Sequence, residues 1–437
     1  MTQRPFRFLH SSDLRLDRPA VDVVDPPEQL FDLLVDCPIR AATRLFDAAV
    51  DQHVDFVVFS GNVVDMNRCG PREVLFLIEQ FQRLANTGIA VYWCGGPLDS
   101  SLNWPVEIHW PGKVQFFKPG HVQRFQHEIA SAAVCEIVGR SHDASGPPRS
   151  ADFSVSSGEL FSIAVAHASW NCSVLAELEI DYWALGGAHQ RSTPLAATTL
   201  AHYPGSPQGR RLAEPGAHSC TLVAVDEHAN VRLTPVATDV VRWHHPIVSL
   251  ADSAEPRDLE KLLRDRAAEI VAQSSGVANV VTWKINCNSP RIAPVRGHAA
   301  GEIAAKLRKE FGTGANPLWT NEIEIDLPQR LPTAWLNEDT IRGDFLQAVA
   351  ERIAHAGGDA NSVDDLIDDE FADNIHAEPA LLNADDLPAN FAARLNWSPE
   401  QFDDHNHPEF RRSLLAEVAW LGADLLGPSH DAAGGSL

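Results

Sequence analysis

At 437 residues the chain exceeds one ordinary domain, so two or three are expected, and a 44% hydrophobic content supplies core for them. No stretch of about 18 uninterrupted apolar residues occurs, which excludes a helical membrane span and leaves no membrane association to expect. The formal charge of −24 is uneven: from Leu331 onward 21 Asp/Glu face five Arg and no Lys, a net of −16, leaving −8 on the first 330 residues. Nucleic-acid binders gain affinity by neutralising phosphates with Lys and Arg, so this balance argues against strong autonomous DNA binding.

The opening residues, Met1-Thr-Gln-Arg-Pro-Phe-Arg-Phe-Leu9, lack the apolar segment and small-residue cleavage site of a signal peptide, and a cytoplasmic location is expected. Cys37, Cys69, Cys94, Cys135, Cys172, Cys220 and Cys287 are odd in number and widely spaced. That argues against a disulfide framework or a zinc ribbon; most read as small buried apolar residues in a reducing compartment.

Along the chain, residues 1 to about 240 alternate strand-like and helix-like segments. Phe6–Leu9 reads as a strand, Ile39–Val50 as a helix, Val54–Phe59 as a strand, Val74–Leu84 as a helix and Ile89–Trp93 as a strand. Strands then follow closely at Val114–Phe117, Ala132–Val138, Phe161–Ala166, Tyr182–Leu185, Cys220–Val225 and Val231–Val236, with a Ser/Gly/Pro-rich loop over His142–Ser157. This order predicts an α/β fold whose core is a two-sheet β-sandwich flanked by helices. Between 241 and 330 the order strand (Trp243–Leu250), helix (Leu259–Gln273), strand (Val277–Asn286), helix (Glu302–Phe311), strand (Glu322–Leu327) suits a small α/β capping domain. Residues 331–437 read as an acidic, mainly helical C-terminal region. It breaks around Gly357–Asn361 and ends in a stripe of Phe410, Leu414, Val418, Leu421 and Leu425. No internal repeat is evident.

Each early strand leads into a short polar motif. In order these are His10-Ser-Ser-Asp13-Leu-Arg15, Gly61-Asn62-Val-Val-Asp65, Gly96-Pro97-Leu98-Asp99, an isolated His167, and Gly186-Gly187-Ala188-His189. Longer stretches accompany them: Arg40 to Asp65, Asp181-Tyr-Trp-Ala-Leu-Gly-Gly-Ala-His-Gln-Arg191, and His202-Tyr-Pro-Gly-Ser-Pro-Gln-Gly-Arg210.

In these stretches the chain resembles the SbcD-type DNA repair exonuclease subunits of the calcineurin-like metallophosphoesterase superfamily. The likeness keeps order and spacing across roughly residues 1 to 240. It implies a two-metal site, with Mn²⁺ suited to its oxygen and imidazole ligands. It also implies a role in processing DNA double-strand ends with an SbcC-like coiled-coil ATPase, DNA being reached through that partner, and it allows a homodimer.

The ligand positions that the resemblance implies are mostly altered. Asp13, His167 and His189 match, and Asn62 replaces the bridging carboxylate with a neutral amide. Arg15, Pro97 and Gly187 stand at three lost ligand positions, and Leu98 stands at the position of the catalytic histidine. A guanidinium has no lone pair to offer, and here Arg15 is expected to pair with Asp13. Two-metal nuclease activity is therefore expected to be lost or strongly reduced, leaving a scaffold for DNA or for the ATPase.

Two alternatives stay open: an active Mn²⁺-dependent exonuclease with a remodelled site, and a one-metal phosphoesterase using Asp13, Asn62 and His189. His10, Asp17, Asp65 and Asp99 lie near enough to be considered as substitutes, with capping or orienting a loop as the structural reading of Asp65. Arg210 and Arg211 are candidate phosphate contacts, and His244 and His245 read as structural.

Overall fold

The computed structural model describes residues 4–100, 104–105, 108–144, 146–153, 160–196, 199–251, 253–287, 292, 295, 298–325, 340–341 and 343. The stripe from Phe410 to Leu425, the break at 357–361 and nearly all of the expected 331–437 region lie outside those residues.

The chain opens with β1 (Phe6–Ser11), α1 (Glu28–Asp51), β2 (Phe56–Ser60), α2 (Pro71–Asn86), β3 (Ala90–Cys94) and β4 (Val114–Phe117). β5 (Gln123–Ile129), β6 (Ala132–Gly139), β7 (Phe161–His167), α3 (Cys172–Leu175) and β8 (Tyr182–Gly186) follow. Next come β9 (Leu195–Ala196), β10 (Thr199–His202), β11 (Ser219–Val225) and β12 (Val231–Ala237). These strands form two six-stranded sheets, ordered β12-β11-β1-β2-β3-β4 and β5-β6-β7-β8-β10-β9. β1, β2, β3 and β4 run parallel, as do β6, β7, β8 and β10.

Strand periodicity decides what each face buries. Phe8, Phe56, Val58 and Tyr92 from the first sheet meet Ile137, Ile163, Val165 and Tyr182 from the second, forming the core between the sheets. The intervening residues Leu9, Val57, Phe59 and Trp93 face the other way, onto Leu45 and Phe46 of α1 and Leu77 and Phe81 of α2. Trp183, Ala164 and Leu185 cover the outer face of the second sheet with Leu175. Each fully buried large apolar side chain contributes about 1.5–3 kcal/mol. The expected sandwich flanked by helices is therefore what the chain builds.

Farther along come β13 (Val241–His244), β14 (Ile247–Ser249), α4 (Pro256–Gln273), β15 (Ala278–Asn286), α5 (His298–Phe311) and β16 (Leu318–Ile325). β13, β15 and β14 lie in one sheet, with β16 also paired to β15. The chain divides into two compact units. One comprises Met1–Val248, Glu260–Lys284 and Ala300–Glu324; the other is drawn from Ser249–Leu259, Ile285–Ala299 and the chain from Ile325 onward. Within the first unit, Val241, Trp243, Ala278 and Val280 pack on Leu30, Leu34 and Cys37 of α1. No helix among the described residues is long and apolar enough to cross a membrane.

Candidate functional site

The ends of β1, β2 and β3 in one sheet and of β7 and β8 in the other deliver all five motifs to one edge. Backbone bonds tie the first two loops together. The N–H of Asp13 donates to Gly61 O (2.9 Å), that of Arg15 to Asn62 O (3.1 Å) and that of Leu16 to Val63 O (3.1 Å). Asp13, Arg15 and Asn62 all adopt left-handed backbone conformations, with φ of +54°, +46° and +56°. Asp and Asn tolerate that region, whereas Arg does so only when its surroundings hold it there. The two sheets approach closely at this edge. A Cβ on Gly186 would lie 1.9 Å from Ser60 O, and one on Gly61 would lie 2.6 Å from His167 Nδ1.

Asn62 is the hub. Its side-chain nitrogen donates to Asp13 Oδ1 (3.0 Å) and lies 3.1 Å from His167 Nε2, while its side-chain oxygen accepts from Leu98 N–H at 3.4 Å. His167 Nδ1 faces the carbonyl of Ser60 at 2.9 Å and must donate to it. That assigns the proton to Nδ1 and leaves Nε2 to accept from the amide. The reversed amide would set an oxygen against the Asp13 carboxylate and a donor against Leu98 N–H, so the network selects this orientation. Asp13 is 1% exposed, and its second oxygen accepts from Ser12 Oγ (2.8 Å) and Gly187 N–H (3.0 Å).

The candidate substitutes have other duties. Asp99, fully buried, accepts from the backbone of Asn62 (2.9 Å), Val63 (2.8 Å) and Gly96 (2.7 Å) and from Trp93 Nε1 (2.9 Å). Burial pushes its carboxyl up, and these four donors oppose that. Asp65 accepts from Asn67 N–H at 3.0 Å and orients its own loop. Asp17 receives Asp65 N–H at 2.7 Å. Arg15 does not pair with Asp13 as expected: its guanidinium lies 3.7 Å from Asp17 Oδ2, and Asp13 accepts from Ser12, Asn62 and Gly187 instead. His10 is buried between Tyr182 OH (3.0 Å) and Ser60 Oγ (2.9 Å). Burial, with the nearby His202, holds its imidazole well below the usual range and keeps it neutral.

His189 is set apart from this knot. Its Nδ1 bonds Glu214 Oε1 at 2.9 Å, and Glu214 also accepts from Arg210 N–H (3.0 Å) and pairs with the guanidiniums of Arg210 (3.5 Å) and Arg211 (3.4 Å). Burial raises the Glu214 carboxyl, but His189 and Arg210 outweigh it and pull it down to about 2. The Arg210 side chain is 6% exposed, whereas that of Arg211 is 55% exposed. A cavity of about 280 Å³ opens beside His189, with Arg191, Pro204, Ser206 and His218 among its lining. Pro97 is exposed and Leu98 half-buried. His244 bonds Asn279 (2.9 Å) and His245 lies 3.6 Å from Glu324.

The sequence signalled Asp13, Asn62 and His167, and the structure brings these together. It did not signal Glu214, which lies beyond the last motif and shows its role only through its partners.

Two divalent cations require a bridging carboxylate and further oxygen and nitrogen ligands on each ion. Here an amide N–H group, not an oxygen, faces Asp13 and His167, and protein donors take both acceptor sites of Asp13 Oδ2 and one on Oδ1. Among the described residues no group of three His, Cys, Asp or Glu is placed to hold a metal ion. The residues present do not fit the metal pair that the resemblance implies.

No protein-family model matches the chain. An uncharacterized metallophosphoesterase of Bacillus subtilis strain 168, YhaO, is 27% identical over 284 residues, covering 62% of this chain and 69% of that protein. Among solved structures, vacuolar protein sorting 29 of Cryptosporidium parvum is similar over 54% of this chain and 98% of its own, at 14% identity and a TM-score of 0.28. A novel archaeal phosphodiesterase is similar over 53% of this chain and 99% of its own, at 12% identity and a TM-score of 0.27. Superpositions that loose speak to neither site nor activity. The layered fold, the order of the five loops and the Bacillus relative together support placing the chain in the calcineurin-like metallophosphoesterase superfamily.

Proposed function

We propose that this chain is a metallophosphoesterase homologue that has lost, or nearly lost, two-metal phosphodiester hydrolysis. In this reading it keeps the fold as a scaffold for an SbcC-like coiled-coil ATPase at DNA ends. The observation that carries the first half is the double engagement of the Asn62 amide with Asp13 and His167. Hydrolysis of this class needs paired Lewis acids to activate water and to stabilise charge on the transferring phosphate. Asp13, Asn62 and His167 are instead engaged with one another, and Leu98, at the position of the catalytic histidine, has no proton to give a leaving group. The motif order supports the second half, and the acidic balance favours reaching DNA through a partner rather than alone.

The test is a nuclease assay on linear duplex DNA with Mn²⁺, run beside His189→Ala. Digestion no greater than in that control is expected. Robust digestion abolished by His189→Ala would instead establish an active exonuclease with a remodelled site. For the scaffold, a stable complex with a coiled-coil ATPase encoded beside this chain is expected by light scattering, and its absence would remove that half.

A further inference from the structure

The cavity beside His189 is walled by three stretches of chain: residues 189–191 after β8, 204–206 after β10, and 215–219 leading into β11. Backbone bonds fix the first two against each other. Ser206 N–H donates to His189 O (2.9 Å), and Ser192 and Tyr203 exchange N–H to carbonyl bonds of 3.0 and 2.9 Å. Gly205, at φ +78°, lets these walls close: a Cβ there would lie 2.9 Å from Arg191 N and 3.0 Å from His189 O. The third wall is pinned through His218, whose ring nitrogens lie 2.9 Å from Ser206 O and 3.1 Å from Glu214 O. A space framed in this way is preformed, as small-molecule sites commonly are.

Its charge is one-sided. Among the described residues the lining holds Arg191, His189 and His218 but no Asp or Glu. Arg191 is exposed, and its guanidinium forms no ion pair or hydrogen bond with the described residues. Glu214, behind His189, is 4% exposed and is already shared by the guanidiniums of Arg210 and Arg211. The His189 ring commits Nδ1 to Glu214 and keeps Nε2 uncommitted. The side chains of Gln190 and Ser219, also on the lining, likewise have no hydrogen-bond partner among the described residues.

We propose that this cavity binds a small hydroxylated carboxylate, its carboxylate on Arg191 and its hydroxyls on His189 Nε2, Gln190 and Ser219. A guanidinium fork meets a carboxylate through two parallel N–H bonds. One uncommitted guanidinium matches one negative charge, whereas a phosphate ester brings nearly two. The volume of about 280 Å³ equals roughly nine waters at about 30 Å³ each, room for a molecule of about that many non-hydrogen atoms. An apolar body of that size would leave the polar lining without partners, so hydroxyls suit it better.

The experiment is calorimetry on the full, chelator-treated chain at constant ionic strength. It compares threonate, a four-carbon hydroxy acid, with threitol, its uncharged counterpart, and with glycerol 3-phosphate. Threonate is expected to bind about tenfold or more tightly than either, through the charge-assisted pair. Arg191→Gln is expected to weaken threonate about tenfold or more. Ala217→Phe, which sets a ring into the cavity from an exposed position, should abolish binding. Lys261→Gln, at an exposed position on α4, should bind as the parent does. Positions 191 and 217 are both exposed, so melting temperatures close to the parent's are expected for these variants. No threonate binding, equal binding of threitol, tighter binding of glycerol 3-phosphate, or unchanged affinity in Arg191→Gln each overturns the proposal. The Mn²⁺ nuclease assay reads a different property, so either idea can fail alone.

Discussion

The side-chain nitrogen of Asn62 lies 3.1 Å from Nε2 of His167, on the lone pair that a metal-ligating imidazole would present. The same nitrogen donates to Asp13 at 3.0 Å. One neutral NH₂ group thus engages both side chains, and hydrogen bonds tie together the loops at this edge.

Asn62→Asp should expose this tie. In metal-free buffer the new carboxylate would face Asp13 and remove both donated bonds, costing on the order of 3 kcal/mol in urea unfolding. Mn²⁺ should recover part of that loss in the variant and leave the parent unchanged. A variant as stable as the parent without metal would show that the amide is not the tie.

Asp99 and Asp65 should separate clearly. Asp99→Ala strands three backbone donors and the Trp93 indole, and about 3–5 kcal/mol is expected. Asp65→Ala removes one 3.0 Å bond and should cost about 1 kcal/mol. Equal losses by chemical denaturation would contradict the assignment of Asp99 as the joint between the second and third loops.

Acid should weaken the fold before its carboxylates titrate. Burial first, then the charge of Arg191, hold His202 down to about 3, and His10 is likewise held well below its usual 6.5. Between those values the unfolded chain binds protons that the native one excludes, so stability falls as pH falls from about 6.5, by up to about 1.4 kcal/mol per pH unit for each group. Unfolding free energy measured at pH 7.5, 6 and 5 should decline, and a flat profile would be contrary.

Glu214 should add a separate acid limb. Its native pKa of about 2 lies below the usual 4.5, so its contribution is full above about 4.5 and is lost as pH falls towards about 2. Glu214→Gln should cost on the order of 3 kcal/mol near neutrality by leaving Arg210 buried and unpaired. The difference from the parent should close over that acid window; one that persists unchanged would count against the ion pair.

Much of the sandwich was legible because its central strands are uninterrupted apolar runs and its first helices carry a 3.6-residue stripe. The misses have physical causes. Pro38 suggests a helix beginning near Ile39, yet α1 runs from Glu28 straight through it. The carbonyl of Leu34, deprived of its helical donor, accepts instead from Ala20 N–H (3.0 Å) and the Cys37 thiol (3.2 Å), and packing on Trp243 holds the extra turns. β5 escaped notice because it is an edge strand with Arg124, Gln126 and Glu128 along one face, a pattern that reads as surface loop. At the site, motif spacing located Asp13, Asn62 and His167. It could not say which end of the Asn62 amide points inward, nor that His189 turns to Glu214, because both depend on partners far away in sequence.

Calorimetric titration of Mn²⁺ into chelator-treated protein is the most direct measurement of whether this edge grips metal. No tight binding is expected, with no change in melting temperature. Two tight sites per chain, lost together in His167→Ala, would contradict the reading of a metallophosphoesterase fold closed by hydrogen bonds.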